Sequence, residues 1–155
     1  MTALLVWLGV LGTGLTAGIF YAFSSFVMKA LDGLPAELAA AAMRSINVAV
    51  LNAGFMLVFF GTGLVCVVLL PTAFIAGSGM AAATTIVACC IHLAGCLGVT
   101  MYCNVPLNQR LAALAAPALA GYWPSYMARW TLWNHVRTAS AALACALLAW
   151  SLAQG

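Results

Sequence analysis

Four long runs of apolar residues dominate the chain, and shorter polar stretches separate them. The apolar runs cover residues 3–28, 46–70, 81–103 and 130–152. No charged residue occurs in residues 1–28 or between Ser45 and Gln109. Because a helix that crosses a hydrocarbon core of about 30 Å needs roughly 20 apolar residues, this pattern predicts four transmembrane helices. We therefore expect an all-α, integral membrane four-helix bundle that forms one domain over residues 1–155.

The connections between the apolar runs predict two short helices outside the membrane core. The first connection reads LDGLPAELAAAAMRS, in which Pro35 is favourable in a first helical turn and Glu37 and Arg44 match the helix dipole at its two ends. The third connection contains three prolines, which interrupt it too often for a membrane span. Its LNQRLAALAA stretch nevertheless predicts a short interfacial helix.

Composition and charge restrict the class of protein. The chain is 66% hydrophobic and 5% charged, whereas soluble globular proteins have about 25% charged residues, so an ordinary soluble domain is excluded. All charged residues lie in two windows, Lys29 to Arg44 and Arg110 to Arg137, which four spans bring to the same side. Because Lys and Arg favour the cytoplasmic side, we expect both windows to be cytoplasmic and both termini outside, in an inner or plasma membrane.

The net charge of +3 is too small to suggest a nucleic-acid partner, and the lipid bilayer is the expected surrounding. The first apolar run has no positively charged start and is longer than the roughly 7–15 residues of a signal-peptide core, so we expect a retained helix. Within that run, Gly14-x-x-x-Gly18 permits close helix packing, either within the chain or in a homo-oligomer.

The third span carries a stripe of polar residues. His92, Cys96, Thr100 and Asn104 follow one another at steps of four, and Asn108 continues the spacing beyond the span. Side chains at this spacing stack on one face of a helix. Polar groups in a lipid span face other helices or a cavity, since hydrocarbon offers them no hydrogen-bond partner.

The fourth span begins with an unusual concentration of polar groups in the stretch RWTLWNHVRT. Trp130, Asn134, Arg137 and Thr138 share one helix face, and His135 is rotated from Asn134 by about 100°. Arg137 lies roughly two turns inside the apolar segment, close to its cytoplasmic end. An arginine at this depth either extends to the phosphate headgroups or lines a polar pocket.

Polar groups from all four spans are expected at the same depth, and we predict a pocket there, close to the cytoplasmic leaflet. Asn47 lies at the start of the second span, and Ser24 or Ser25 lies near the end of the first. The predicted substrate-binding residues are Asn104, Asn108, Asn47, Thr100, Trp130, Tyr21 and Ser25, with His135, Arg137 and Asn134 as the catalytic candidates.

The motifs of the chain resemble those of the anthrone oxygenase-like family of small four-helix membrane proteins, many of which were grouped as a domain of unknown function. The resemblance is carried by NVPLNQRL and RWTLWNHVRT, together with TGLTAGIFYAFSSFVM and MRSIN. The resemblance covers nearly the whole chain in order and spacing. The most specific parts are N-x-P-x-N at residues 104–108 and W-N-H-x-R-T at residues 133–138.

The resemblance implies a monooxygenase that adds dioxygen to an activated carbon of an anthrone and needs no metal or organic cofactor. Its substrate would be a small hydrophobic or aromatic molecule. His135 is then the candidate base that removes the substrate proton, and Arg137 stabilises the resulting oxyanion. Asn104, Asn108 and Asn134 orient the substrate or the imidazole. Under this hypothesis, replacing His135 with alanine abolishes turnover.

Two other classes of function remain open from the residues alone. His92 and His135 could ligate a metal or a haem iron, but His92 is expected about 15 Å deeper along the bundle and carboxylates for a di-iron site are too few. The chain could instead be a non-catalytic transporter, or a protein that binds lipid or a partner. The six cysteines show no C-x-x-C spacing, and we interpret them as buried apolar residues.

Overall fold

The structure, a computed structural model, describes residues 2–75, 77 and 79–154. Met1, Ala76, Ser78 and Gly155 lie outside the described residues. The described chain contains five helices and no strand. They are α1 (Thr2–Ala22, continued by Phe23–Val27 and Met28–Asp32), α2 (Ala36–Ala49), α3 (Ala53–Ile75), α4 (Met80–His92, continued by Leu93–Gly98, Thr100–Asn104 and Val105–Ala113) and α5 (Ala116–Ala153).

Four of these helices are long and apolar enough to cross a membrane, as predicted. They cover Ala3–Asp32, Ala53–Ile75, Met80–Ala113 and Pro117–Ala153. Large apolar side chains such as Leu11, Leu57, Leu64 and Phe74 are exposed on the outside of the bundle. An outer surface of this kind suits hydrocarbon rather than water. The predicted all-α architecture with four helices of membrane-spanning length is confirmed.

The starts of two helices differ clearly from the sequence-based expectation. The second predicted span begins at residue 46, whereas α3 begins at Ala53. The helix is interrupted between α2 and α3, and Asn52 Oδ1 caps α3 by accepting a hydrogen bond of 3.0 Å from the Phe55 amide. The fourth predicted span begins at Trp130, whereas α5 begins at Ala116. Pro117 lies in the first turn of α5. The amide groups of a first turn have no hydrogen-bond acceptor within the helix, so the N–H group that proline lacks is not needed at this position.

The short interfacial helix predicted in the third connection is present as the last part of α4. Residues 105–113 continue the membrane helix without a break. Pro106 would normally clash with the carbonyl group four residues earlier. The preceding residues Thr100–Asn104 are π-helical, and this wider turn accommodates the proline ring.

Residues 28–49, 105–113 and 116–129 form a second layer beyond one end of the bundle, which we call the cap. Its buried core includes Met28, Leu31, Met43, Leu111 and Tyr126. The side chain of Arg44 in α2 donates hydrogen bonds of 3.0 and 2.6 Å to the Leu111 carbonyl oxygen at the end of α4. Every charged residue except Arg137 belongs to the cap.

The helix α5 connects the cap to the bundle. Its 38 residues extend about 57 Å at 1.5 Å per residue, nearly twice the thickness of a hydrocarbon core. The helix therefore contributes residues 116–129 to the cap and still has enough length to span a membrane.

Close packing between α1 and α3 depends on Gly12. A Cβ atom at this position would overlap the Oγ1 and Cβ atoms of Thr62 in α3, whereas a Cβ atom at Gly18 would meet nothing within 4 Å. We expect Gly12→Ala to lower the free energy of unfolding by about 1–3 kcal/mol, since Thr62 is β-branched and cannot turn away. Thermal unfolding in detergent measures the effect.

Gly18→Ala is the matched control on the same helix and should leave the melting temperature nearly unchanged. The double variant Gly12→Ala with Thr62→Ala should recover much of the loss. If Gly12→Ala is as stable as Gly18→Ala, the helices do not pack in this way.

Candidate functional site

A cavity of about 430 Å³ lies where the bundle meets the cap, between α1, α3 and α4, with α2 and α5 closing its sides. Its volume is within the range of roughly 300–1,000 Å³ that is usual for small-molecule sites. Most of the lining side chains are aliphatic or aromatic. The polar lining side chains are those of Asn47, Thr100, Asn108, Gln109 and Arg137.

The guanidinium group of Arg137 is the only charged side chain among the described residues that line the cavity. Arg137 is 4% exposed. Its Nη1 nitrogen donates to Thr100 Oγ1 at 3.3 Å, and its Nη2 nitrogen donates to Asn134 Oδ1 at 2.8 Å. Both acceptors are neutral. The two acidic residues of the chain, Asp32 and Glu37, belong to the cap.

Aromatic rings cover the guanidinium group on two sides. The Cζ atom of Arg137 lies 4.1 Å from the centre of the Phe20 ring and 5.0 Å from the centre of the Trp130 ring. Cation–π contacts of this kind are worth about 2 kcal/mol or more where water is excluded. They help to hold the buried cation in the bundle, but they do not neutralise its charge.

The amide group of Asn134 fixes the position of Arg137. Its Nδ2 nitrogen donates to the Phe20 carbonyl oxygen and to Ser24 Oγ, each at 2.7 Å. This arrangement directs Oδ1 towards Arg137. Asn134 is fully buried, so the amide has no solvent with which to exchange these contacts. The pairing of Asn134 with Arg137 brings two predicted catalytic residues together.

The third predicted catalytic residue, His135, does not line the cavity. Its side chain is exposed, and its Nδ1 atom lies 2.9 Å from Ser24 Oγ. Ser24 in turn contacts Asn134, so the imidazole is connected to Arg137 through a hydroxyl group and an amide. The rotation of His135 by about 100° from Asn134 accounts for its position on another face of α5.

The three asparagines predicted to bind substrate have two kinds of environment. Asn47 and Asn108 line the cavity, and Asn108 Oδ1 accepts a 2.9 Å hydrogen bond from the Tyr126 hydroxyl group. Asn104 is buried beside the cavity, where its Nδ2 nitrogen donates to the Trp130 carbonyl oxygen at 3.2 Å. Asn104 therefore contacts α5 rather than the cavity, whereas Asn47 and Asn108 can reach a ligand.

Thr100 and Trp130 also line the cavity, whereas Tyr21 and Ser25 do not. Tyr21 is 63% exposed on the outside of α1. Ser25 donates a 2.7 Å hydrogen bond to the Tyr21 carbonyl oxygen. Of the two serines considered from the sequence, Ser24 is the one that contacts the Arg137 network.

Three π-helical stretches occur in the helices that form the site. They are Phe23–Val27 in α1 and Leu93–Gly98 and Thr100–Asn104 in α4. Single π turns are frequent at functional sites, because each one rotates the following side chains relative to a regular α-helix. Ser24 and Thr100 both belong to such stretches, and both contact the Arg137 network.

The aromatic wall of the cavity was not predicted from the sequence. Phe55 and Phe59 stack with their ring centres 5.5 Å apart and their planes at 12°, and Phe20 meets Phe59 edge-on. All three line the cavity. Their only sequence signal is the four-residue spacing of Phe55 and Phe59, which also fits a lipid-facing helix surface.

The two histidines considered as metal ligands have different surroundings. His92 is fully buried in α4, and neither of its ring nitrogens has a hydrogen-bond partner among the described residues. His135 is exposed on α5. Within residues 2–75, 77 and 79–154, no group of three or more histidine, cysteine or acidic side chains is close enough to hold a metal ion.

Comparisons with known proteins identify a family. A family profile described as anthrone oxygenase matches residues 55–147, which include α3, α4 and most of α5. Comparisons with curated proteins and with solved structures find no match.

Asn134 should contribute strongly to stability because of its buried contacts. Asn134→Leu removes the hydrogen bonds to the Phe20 carbonyl oxygen and to Ser24 Oγ and leaves an Arg137 donor without a partner, and we expect the free energy of unfolding to fall by about 2–3 kcal/mol. His135 is adjacent to Asn134, and His135→Ala removes one exposed contact. This variant should change the free energy of unfolding by less than about 1 kcal/mol. Thermal unfolding in detergent compares the two variants, and equal stabilities would contradict the assigned hydrogen bonds.

Proposed function

The chain belongs to the anthrone oxygenase family, and from this premise we propose that it is a membrane oxygenase for an acidic polycyclic or phenolic substrate. The proposal includes oxygenation without a metal or organic cofactor. It is carried by one observation, which is the buried guanidinium of Arg137 with neutral partners at the wall of an apolar cavity. A substrate anion would supply the missing negative charge.

The electrostatic effect of Arg137 on a bound substrate is large enough to matter for the reaction. Two opposite charges 4 Å apart attract each other by about 4 kcal/mol at an effective dielectric constant of 20. This energy favours the ionised form of the substrate by roughly a thousandfold. A weakly acidic phenol or anthrone that lies against the guanidinium is therefore more acidic there, to the extent that this attraction exceeds the cost of moving its anion into the apolar cavity.

The ionised substrate can react with dioxygen without an external reductant. The anion transfers one electron to dioxygen, and the resulting radical pair combines to form a carbon–oxygen bond. The peroxide that forms takes up a proton, then loses the remaining proton on that carbon while the O–O bond breaks. The products are a ketone and water, so the substrate itself supplies the electrons that reduce dioxygen.

The other side chains of the cavity suit this role. The stacked rings of Phe55 and Phe59 offer a flat wall for an aromatic substrate. Asn47, Asn108 and Gln109 can donate hydrogen bonds to its oxygen substituents. The mostly apolar lining limits the number of water molecules near Arg137, which strengthens the attraction between Arg137 and the anion.

The role of His135 follows from its exposed position. A proton that travels from the cavity to His135 would have to pass the amide of Asn134, which has no readily ionised proton near neutral pH. We therefore propose that water at the cavity takes the substrate proton. The attraction between the substrate anion and Arg137 favours this ionisation. Ser24 and His135 then support the orientation of Asn134.

We also propose that the cap lies on the cytoplasmic side of the membrane. It contains all four lysine and arginine residues other than Arg137, whereas the connection between α3 and α4 contains none. Positively charged segments are retained in the cytoplasm during insertion. The cavity would then lie near the inner leaflet.

A second candidate function is binding or transport of an anionic amphiphile without any reaction. The same buried cation in an apolar cavity supports it, because a carboxylate or phenolate would be held in the same way. Oxygen consumption with an anthrone separates the two candidates, since a binding protein forms no ketone product.

Arg137 should be necessary for turnover. We expect Arg137→Gln to lower the rate of anthrone oxidation by about 10²–10³-fold, the usual effect of removing a group that stabilises an oxyanion. Arg137→Lys should retain part of the activity, because it keeps the charge but loses the planar donor set. Arg129→Gln is the matched control on the exposed side of α5, and an equal loss in both glutamine variants would contradict the proposal.

His135→Ala tests whether the imidazole is the base. A positioned general base usually contributes about 10²–10⁴-fold to the rate, whereas a supporting role for an exposed residue predicts a loss within about fivefold. We expect the smaller effect, measured as initial oxygen uptake in proteoliposomes. A loss beyond a hundredfold would support the assignment made from the sequence alone.

A further inference from the structure

The cavity is open on the side between α3 and α4. These two helices pack against each other along Met80–His92 of α4 and lose contact towards Thr100–Asn104. Three of the residues that line the cavity there are well exposed, with Leu51 at 68%, Phe60 at 49% and Met101 at 49%. We call the opening that these three residues border the lateral gap.

The surroundings of the lateral gap are apolar. Val48, Leu57 and Tyr102 lie beside it in α2, α3 and α4, and all three are exposed. A continuous apolar surface of this kind is unfavourable in water and favourable in hydrocarbon. The lateral gap therefore faces the acyl chains of the bilayer rather than the aqueous phase.

The cap closes the end of the cavity. Met43 of α2 lines the cavity and is almost fully buried. Behind it, Tyr126 and Leu111 are fully buried in the cap core. A molecule that arrived through the cap would have to displace this core.

We propose that the ligand of the cavity is an anionic amphiphile that dissolves in the bilayer and enters sideways through the lateral gap. Its acidic head group lies against Arg137, and its apolar part extends past Phe60 and Met101 into the acyl chains. The inference rests on the proposed function only in using Arg137 as the anion-binding group. It adds the route of entry, and it restricts the substrate to molecules that partition into lipid.

The charge distribution supports this arrangement of head group and tail. Arg137 lies at the inner wall, and the polar side chains of Asn47 and Gln109 lie at the edge of the cavity nearest the cap. An amphiphile in the leaflet has its polar end at the same level as these side chains and its apolar end deeper in the bilayer. It can therefore slide into the cavity without turning over.

A photoreactive amphiphile tests the proposal by binding alone. The probe is a 2-nitrophenol whose alkyl chain carries a diazirine, since the nitro group makes the phenol ionise near neutral pH. The protein is placed in phosphatidylcholine vesicles, illuminated with the probe and digested for mass spectrometry. We expect cross-links to concentrate at Leu51, Phe60 and Met101 rather than at Phe74 and Ile75, which are exposed near the other end of α3.

Two matched pairs of variants test the position of the head group and the route. Arg137→Gln should reduce labelling at the lateral gap by about tenfold, whereas Arg129→Gln should not. Met101→Trp narrows the gap and should reduce labelling of Phe60 severalfold, whereas Tyr102→Trp places the same indole ring beside the gap and should have little effect. Circular dichroism confirms that each variant is folded.

Three results would overturn the proposal. They are labelling spread evenly over all exposed apolar residues, labelling at the gap that is unaffected by Arg137→Gln, and labelling concentrated in the cap. Because no turnover is measured, the outcome is independent of the oxygenase reaction. Labelling at the gap without anthrone oxidation would retain the lateral route and reject the proposed enzyme.

Discussion

The site depends on a positive charge that is buried without an anionic partner. Arginine in the middle of a membrane helix costs about 2.5–3.5 kcal/mol on insertion scales, and Arg137 is 4% exposed. The hydrogen bonds that Arg137 donates to Thr100 and Asn134, together with the rings of Phe20 and Trp130, offset part of this cost. None of these groups is negative, so the cation retains its capacity to attract an anion.

Several features of the fold keep this charge in place. The π-helical stretch in α1 carries Ser24, which orients the amide of Asn134, and the π-helical stretch in α4 carries Thr100. The long helix α5 carries Asn134 and Arg137 in the bundle and also carries much of the cap, whose core packs behind the cavity. The cap and the bundle therefore share one element, and any movement of α5 would alter the site.

The sequence predicts the architecture well because the relevant signals are long-range averages of hydrophobicity and charge. The grouping of Asn134 with Arg137 was also predictable, since a three-residue spacing places both on one helix face. The choice between Ser24 and Ser25 was not, because a π turn shifts the register by one residue and leaves no sequence signal. The wall formed by Phe55 and Phe59 was hidden for another reason, since lipid-facing and cavity-facing phenylalanines look alike in an apolar span.

The character of the site favours one kind of anion over others. A carboxylate or phosphate concentrates its charge on a few oxygens and loses strong hydration when it enters an apolar cavity. A phenolate or enolate spreads its charge over aromatic rings, so it loses less hydration and gains more from contact with other rings. Arg137, which is itself a planar and weakly hydrated cation, suits such a diffuse anion. A delocalised charge also makes the anion soluble in the lipid interface and reactive towards dioxygen. The proposed entry from the bilayer and the proposed oxygenation therefore both require a substrate with a delocalised anion.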